Sequence, residues 1–275
     1  MSNKQEDSSV SIVFDHIAIR RFIGVIALIL PLLVVVAAWD FPDSISASYH
    51  TPVGFPYTPY FPSPRDIFVG SLFIIGAFLM SYKGHEHPIT PEQVGGIWHK
   101  LGTKAVELRQ WQHKHEEDII SWIGGISAWM VALFPTAQGT ECSDVILFSM
   151  GAAPDAIAQT VSIVHLSFAA ILFLTTVYFC LVAFKRRLEP KIRRSLLVGS
   201  AHSAPLHRRR FLYNLSGWAT LILIAAIGLS GVFLKNGLCV IYNQTYWAET
   251  VMLVLFGIAW FTASKPPFLR EPGAQ

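Results

Sequence analysis

His50, Asp66, His165 and Glu249 are the side chains of this sequence best suited to chemistry, with Ser46, Arg65 and Ser162 beside them. Histidine titrates near neutrality and ligates metals through a neutral ring nitrogen. Carboxylates move protons or hold cations, and an arginine fork binds carboxylate or phosphate. A catalytic zinc needs three protein ligands and an open position. His50, Asp66 and His165 would supply three, with Asp155 or Glu249 as alternates, and the metal would bring its bound water to a pKa of about 7. Without a metal, the same groups would bind a headgroup, an ion or a proton. The plain structural account is a polar network closing one end of a bundle. In it Arg65 pairs with Glu249 or Asp66, and His165 bonds a carboxylate or a main-chain carbonyl, at about 0.6 kcal/mol per interhelical bond. The residues alone leave both accounts open.

Other chemistries lack their residues. A b-type haem between helices needs facing histidines, and His165 is the only one well inside an apolar run. A Schiff base in the membrane needs a lysine there, and the apolar runs have none. His85, His87, His113 and His115 read as solvated loop residues rather than ligands, and no phosphate-binding glycine loop or G-x-S-x-G elbow occurs.

The elements that must position these groups follow from composition. Of 275 residues, 52% are hydrophobic and 14% charged, with a mean hydropathy of +0.45; ordinary soluble chains carry about 25% charge. The apolar residues come in blocks rather than stripes, which excludes a cytosolic enzyme and a nucleic-acid-binding domain. A hydrocarbon core of about 30 Å needs roughly 20 apolar residues in a helix. Six spans are expected: Phe22–Trp39, Ile67–Tyr82, Ile119–Pro135, Ala158–Phe184, Phe211–Leu234 and Tyr246–Ser264. The fold class is all-α, a polytopic six-helix membrane domain over 22–264 between a segment 1–21 and a tail 265–275. Nineteen of the 21 Lys and Arg residues fall on one side, against Arg65 and Lys235 on the other. The positive-inside rule then places both termini in the cytoplasm of an inner membrane. The run after Arg20 and Arg21 exceeds a signal-peptide core and reads as a retained anchor.

This topology puts His50, Arg65, Asp66, Asp155, His165 and Glu249, with Ser44 and Ser46, near the outer leaflet; no comparable set is expected at the cytoplasmic ends. The stretch 84–117 reads as a helix lying at the cytoplasmic interface. The basic run 185–210 reads as a loop anchored by anionic headgroups. Six prolines between 42 and 64, interleaved with Phe55, Tyr57, Tyr60 and Phe61, read as an ordered external loop over the bundle mouth. Cys142 and Cys239 fall in external loops and are candidates for a disulfide, while Cys180 reads as a packing residue.

Two segments, Ser44-Ile45-Ser46-Ala47-Ser48-Tyr49-His50 and Arg65-Asp66-Ile67-Phe68-Val69-Gly70, carry a resemblance, together with Ala132–Thr136 and the run from Glu249 to Trp260. They resemble a bacterial family of six-helix integral membrane proteins of unknown function, which implies a fold and no activity. A fainter resemblance, Ser46-x-x-x-His50 followed by Asp66, is to the alkaline ceramidase and adipoQ-receptor membrane hydrolases. Those are seven-helix zinc enzymes with His-x-x-x-His in the last helix, where this chain has Glu249 and no histidine. Two functions are therefore expected to compete: an enzyme acting on a lipid or lipid-linked substrate, and a transport, accessory or binding protein whose site holds membrane lipid or an ion.

Overall fold

A computed structural model of the chain describes residues 16–42, 44–52, 54, 62–83, 103–136, 156–197, 203–233, 244–266 and 269. These residues form helices α1 (His16–Ala38), α2 (Pro64–Ser81), α3 (Thr103–Leu133), α4 (Ala156–Tyr178), α5 (Phe184–Leu197), α6 (Ser203–Phe233) and α7 (Gln244–Ala263). A π turn, Phe179–Ala183, joins α4 to α5, and a short 3-10 turn, Ser46–His50, lies between α1 and α2. No strand occurs among the described residues. Five stretches, in α1, α2, α4 with α5, α6 and α7, are long and apolar enough to cross a membrane. In α3 the long apolar run begins only at Ile119, behind Glu116, Glu117 and Asp118, so it has one charged half and one apolar half.

The helices close a ring. α1 packs on α2, α2 on α3, α3 on α4, α4 on α6, α6 on α7, and α7 returns to α1. Lipid gives no hydrophobic drive between helices, so close approach of small residues carries the association. At the α1–α7 crossing Gly24 and Gly257 face one another: a Cβ on Gly24 would lie 2.9 Å from the Gly257 oxygen, and the reverse distance is also 2.9 Å. Gly76 of α2 and Gly125 of α3 repeat the arrangement, at 2.8 and 2.6 Å. Two buried clusters fill the ring. One centres on Trp260, Tyr82, Phe179 and Phe184, the other on Leu30, Val34, Ile45 and Phe68.

Two expectations about the basic side need correction. The stretch from 103 to 117 is the first half of α3, collinear with its apolar half, and not a separate helix lying at the interface; residues 84–102 are outside the described set. Nor is 185–210 a loop. The helix of span four continues through the π turn to Leu197, and α6 begins at Ser203, before its Arg208–Arg210 run. Lysine, arginine and leucine are good helix formers, so a run of charge ends a hydrophobic span without ending the helix. The contiguous helix from Ala156 to Leu197 is roughly 60 Å long at 1.5 Å per residue, about twice a bilayer core.

Candidate functional site

Glu249 stands in the second turn of α7, and its carboxylate holds the Ser44–His50 segment in place. Oε2 accepts from the amides of Ile45 at 2.6 Å and Ser46 at 3.2 Å, and Oε1 accepts from the Ser46 hydroxyl at 2.7 Å. Ser44 extends the network: its Oγ lies 3.0 Å from Ser46 Oγ and accepts from the Ala47 amide at 2.8 Å. A short segment that turns back over a helix bundle leaves its amides without helical partners, and one carboxylate satisfies two of them. Ile45 is then buried against Leu30, Val34 and Phe68.

The two histidines meet the same element. His165, buried on α4, contacts the Phe134 carbonyl through Nδ1, and His50 reaches the Thr136 carbonyl through Nε2 at 2.6 Å. The last carbonyls of a helix have no acceptor role inside it, and Pro135 brings no amide of its own. A carbonyl only accepts, so each histidine donates a ring N–H to the turn that directly follows α3. Ser162 lies half-buried one turn before His165. Asp66 accepts from the Ser63 amide and Ser63 Oγ from the Asp66 amide, a capping box that starts α2 behind Pro64. Arg65 lies over the Tyr49 ring, 5.0 Å from its centroid, and pairs with neither Asp66 nor Glu249. So Ser46, His50, His165 and Glu249 form one main-chain-binding assembly, while Arg65 and Asp66 sit at its exposed edge. Asp155, Cys142 and Cys239 are outside the described residues.

The set meets a zinc site's demands only in part. A histidine that donates to a carbonyl is oriented as a metal ligand often is, but no three His, Cys, Asp or Glu side chains gather among the described residues. Glu249 has both oxygens committed to the loop, and Asp66 is committed to its cap. The described side chains therefore do not fit a three-ligand zinc centre.

Beside this assembly a groove of about 300 Å³ runs between α1 and α7, lined by Leu28, Pro31, Leu32, Val35, Tyr246, Trp247 and Val254. Its outer rim carries Phe41, stacked on Trp247 with centroids 6.1 Å apart and edge-on to Tyr246 at 5.8 Å. The Tyr246 hydroxyl donates to the Pro31 carbonyl, which fixes the floor. Leu32 is 63% exposed on the groove's flank. Thr250, one residue past Glu249, also lines the groove, and its hydroxyl oxygen is buried with no hydrogen-bond partner among the described residues.

The opposite end overturns the expectation that it holds no polar set. Glu117, 3% exposed, pairs with Arg187; Arg187 and Arg20 lie over the buried Tyr82 ring, with Cζ 5.7 and 5.2 Å from its centroid. Burial pushes the Glu117 carboxyl up from the usual range, and the Arg187 guanidinium pulls it part of the way back. Arg186 and Glu116 form a second, exposed pair at 3.1 Å. Sequence reading missed this because arginines beside a span are the ordinary topology signal. The spacing that could have shown it is Glu116-Glu117 at the start of one span and Arg186-Arg187 at the end of the next. Compared with family models, curated proteins and solved structures, the chain finds no match in any of the three.

Proposed function

We propose that the chain is a multi-pass inner-membrane protein, with both termini cytoplasmic, that binds a lipid or lipid-linked molecule at its outer end. The groove between α1 and α7 carries this reading. Its walls are apolar, its flank is exposed at Leu32, and Tyr246 and Trp247 at its rim are the residue types that sit at headgroup level. On a pair of membrane-crossing helices, the surrounding solvent of such a groove is acyl chain. One chain then lies along Leu28, Leu32 and Val254, and the headgroup sits by Thr250 and the Glu249-held loop. The 19-to-2 asymmetry of basic residues supports the orientation. The two histidines and Glu249 support a scaffolding role for the cap, because each is occupied by main chain. Transport and accessory roles share this binding step; an enzyme would add a nucleophile or metal to it.

The test is native mass spectrometry of the protein purified in a mild detergent. Bound lipid is expected with the unaltered chain and is expected to fall several-fold in Leu32→Trp and Val254→Trp, which fill the groove. Equal lipid in all three, or none in any, would reject the groove as the binding site.

A further inference from the structure

Among the described residues, the arginine-rich end holds more buried positive charge than bonded carboxylate to balance it. Arg20, Arg187 and Arg209 come from α1, α5 and α6, and Arg20 and Arg209 are 8% and 7% exposed. Arg20 and Arg187 flank Tyr82, while Arg209 stands beside the fully buried Tyr213, with Arg20 also in electrostatic reach of that ring. Against three guanidiniums, the described residues bring one bonded carboxylate, Glu117 on Arg187. Arg20 gives an N–H only to the neutral Ala263 carbonyl, at 3.4 Å. The Nε–H of each of the three arginines is buried and unpartnered among the described residues. Removing a cation from water costs several kcal/mol unless an anion meets it, and ionisable groups held at membrane depth mark ligand and ion sites.

We propose that this cluster binds a phosphate-type oxyanion, carried either by the headgroup of a lipid at this end of the bundle or by free phosphate. The charge fits: a phosphate monoester carries about −1.5 to −2 near neutrality, which matches an excess of two positive charges. The donors fit, since guanidinium forks bind phosphate oxygens in pairs of hydrogen bonds, and Arg20 and Arg187 lie over the Tyr82 ring with each Nε–H unpartnered among the described residues. The position fits as well. Arg20 is in the second turn of α1, Arg209 in the second turn of α6, Arg187 in the first turn of α5, and Tyr82 directly follows α2. Three helix ends and the α4–α5 junction thus meet at one level, where a hydrocarbon core gives way to headgroups. This site is independent of the groove at the other end.

Thermal unfolding of the full chain in dodecyl maltoside tests it. Inorganic phosphate and dioctanoyl phosphatidic acid, a phosphate monoester, are titrated separately, with chloride at matched ionic strength and dioctanoylglycerol as phosphate-free controls. A saturable rise in midpoint is expected with a phosphate carrier and with neither control. Saturation by phosphate alone assigns a soluble oxyanion; a response only to phosphatidic acid assigns a headgroup. Arg209→Gln and Arg20→Gln should weaken binding at least tenfold. Arg209→Lys, which keeps the charge and loses the fork, should also weaken it and covers a failure of the glutamine variants to fold. Glu117→Gln should tighten binding several-fold by removing the competing carboxylate, a result that a purely structural pair would not give. Arg193→Gln with Arg194→Gln, both exposed on α5, should change nothing. No saturable response to either carrier, or equal weakening by the exposed pair, overturns the proposal and leaves an acidic side chain of the protein as the counter-charge.

Discussion

Replacing Glu249 with alanine removes the acceptor of three hydrogen bonds, two of them from main-chain amides. The Ser46 hydroxyl can turn to Ser44 Oγ, 3.0 Å away, so two amides remain orphaned. An unsatisfied buried donor costs about 1–3 kcal/mol, which gives roughly 2–6 kcal/mol for the pair. The segment escapes part of that cost by lifting into water, and what it then gives up is mainly the burial of Ile45, about 1.5–3 kcal/mol. The smaller figure governs, so loop docking should weaken by about 1.5–3 kcal/mol, or about 12- to 150-fold in the open fraction. Ser48 is 1% exposed and reports this opening. In a chain lacking Cys142 and Cys239, Ser48→Cys should react with a membrane-impermeant maleimide that much faster when Glu249 is replaced by alanine. Glu249→Gln, which keeps one acceptor oxygen but turns an NH2 toward amide donors, should fall between. Global unfolding should shift less than the labelling rate, since the ring of helices does not depend on this loop. Equal labelling of the Glu249→Ala chain and its parent, both folded, would refute the carboxylate as the clasp.

His165→Ala and His50→Ala should each lower thermal stability by about 1–2 kcal/mol, with a double variant less than additive because both hold the end of α3; additive losses would separate them. Gly125→Val should abolish or severely destabilise folding, whereas Gly70→Ala, which meets nothing within 4 Å, should leave the unfolding midpoint nearly unchanged. Reporters fused after Lys185 or at the C-terminus should read cytoplasm and one after Gln138 the outside; an externally active C-terminal reporter reverses the orientation. If Cys142 and Cys239 are bonded, thiol labelling of unfolded, unreduced protein should modify Cys180 alone, and three labelled cysteines would end that pairing.

Length and hydropathy made the helices legible, because about 20 apolar residues in lipid leave the backbone little choice but a helix. The same reasoning placed helix ends at charge and went wrong at Lys185 and Arg208, where the helix continues because basic side chains do not oppose it. At the loop end, Glu249, His165, His50 and Ser46 stood out as polar residues in need of partners. Their partners did not, for the partners are main-chain atoms of residues 45, 46, 134 and 136, and no residue type advertises a carbonyl. Arg65 was assigned an acidic partner on charge alone and instead covers a tyrosine ring. The opposite cluster stayed hidden because its members read singly as topology anchors, and only the ring closure brings α1, α5 and α6 to one level.

The seam between α1 and α7 has a consequence for biogenesis. The first and last membrane helices share the Gly24–Gly257 crossing, the Tyr246–Pro31 bond and the Arg20–Ala263 bond. A ribosome adding about 5–20 residues per second needs roughly 10–45 s to move from the end of α1 to the end of α7. Through that interval α1 sits in the membrane with its glycine face open and Arg20 without the Ala263 carbonyl. That joint therefore waits for every helix between α1 and α7 to be made, and a product cut short before α7 carries an unfilled seam. Quality-control proteases that recognise unpaired small-residue faces would find one signal common to such products, and the arrival of α7 erases it.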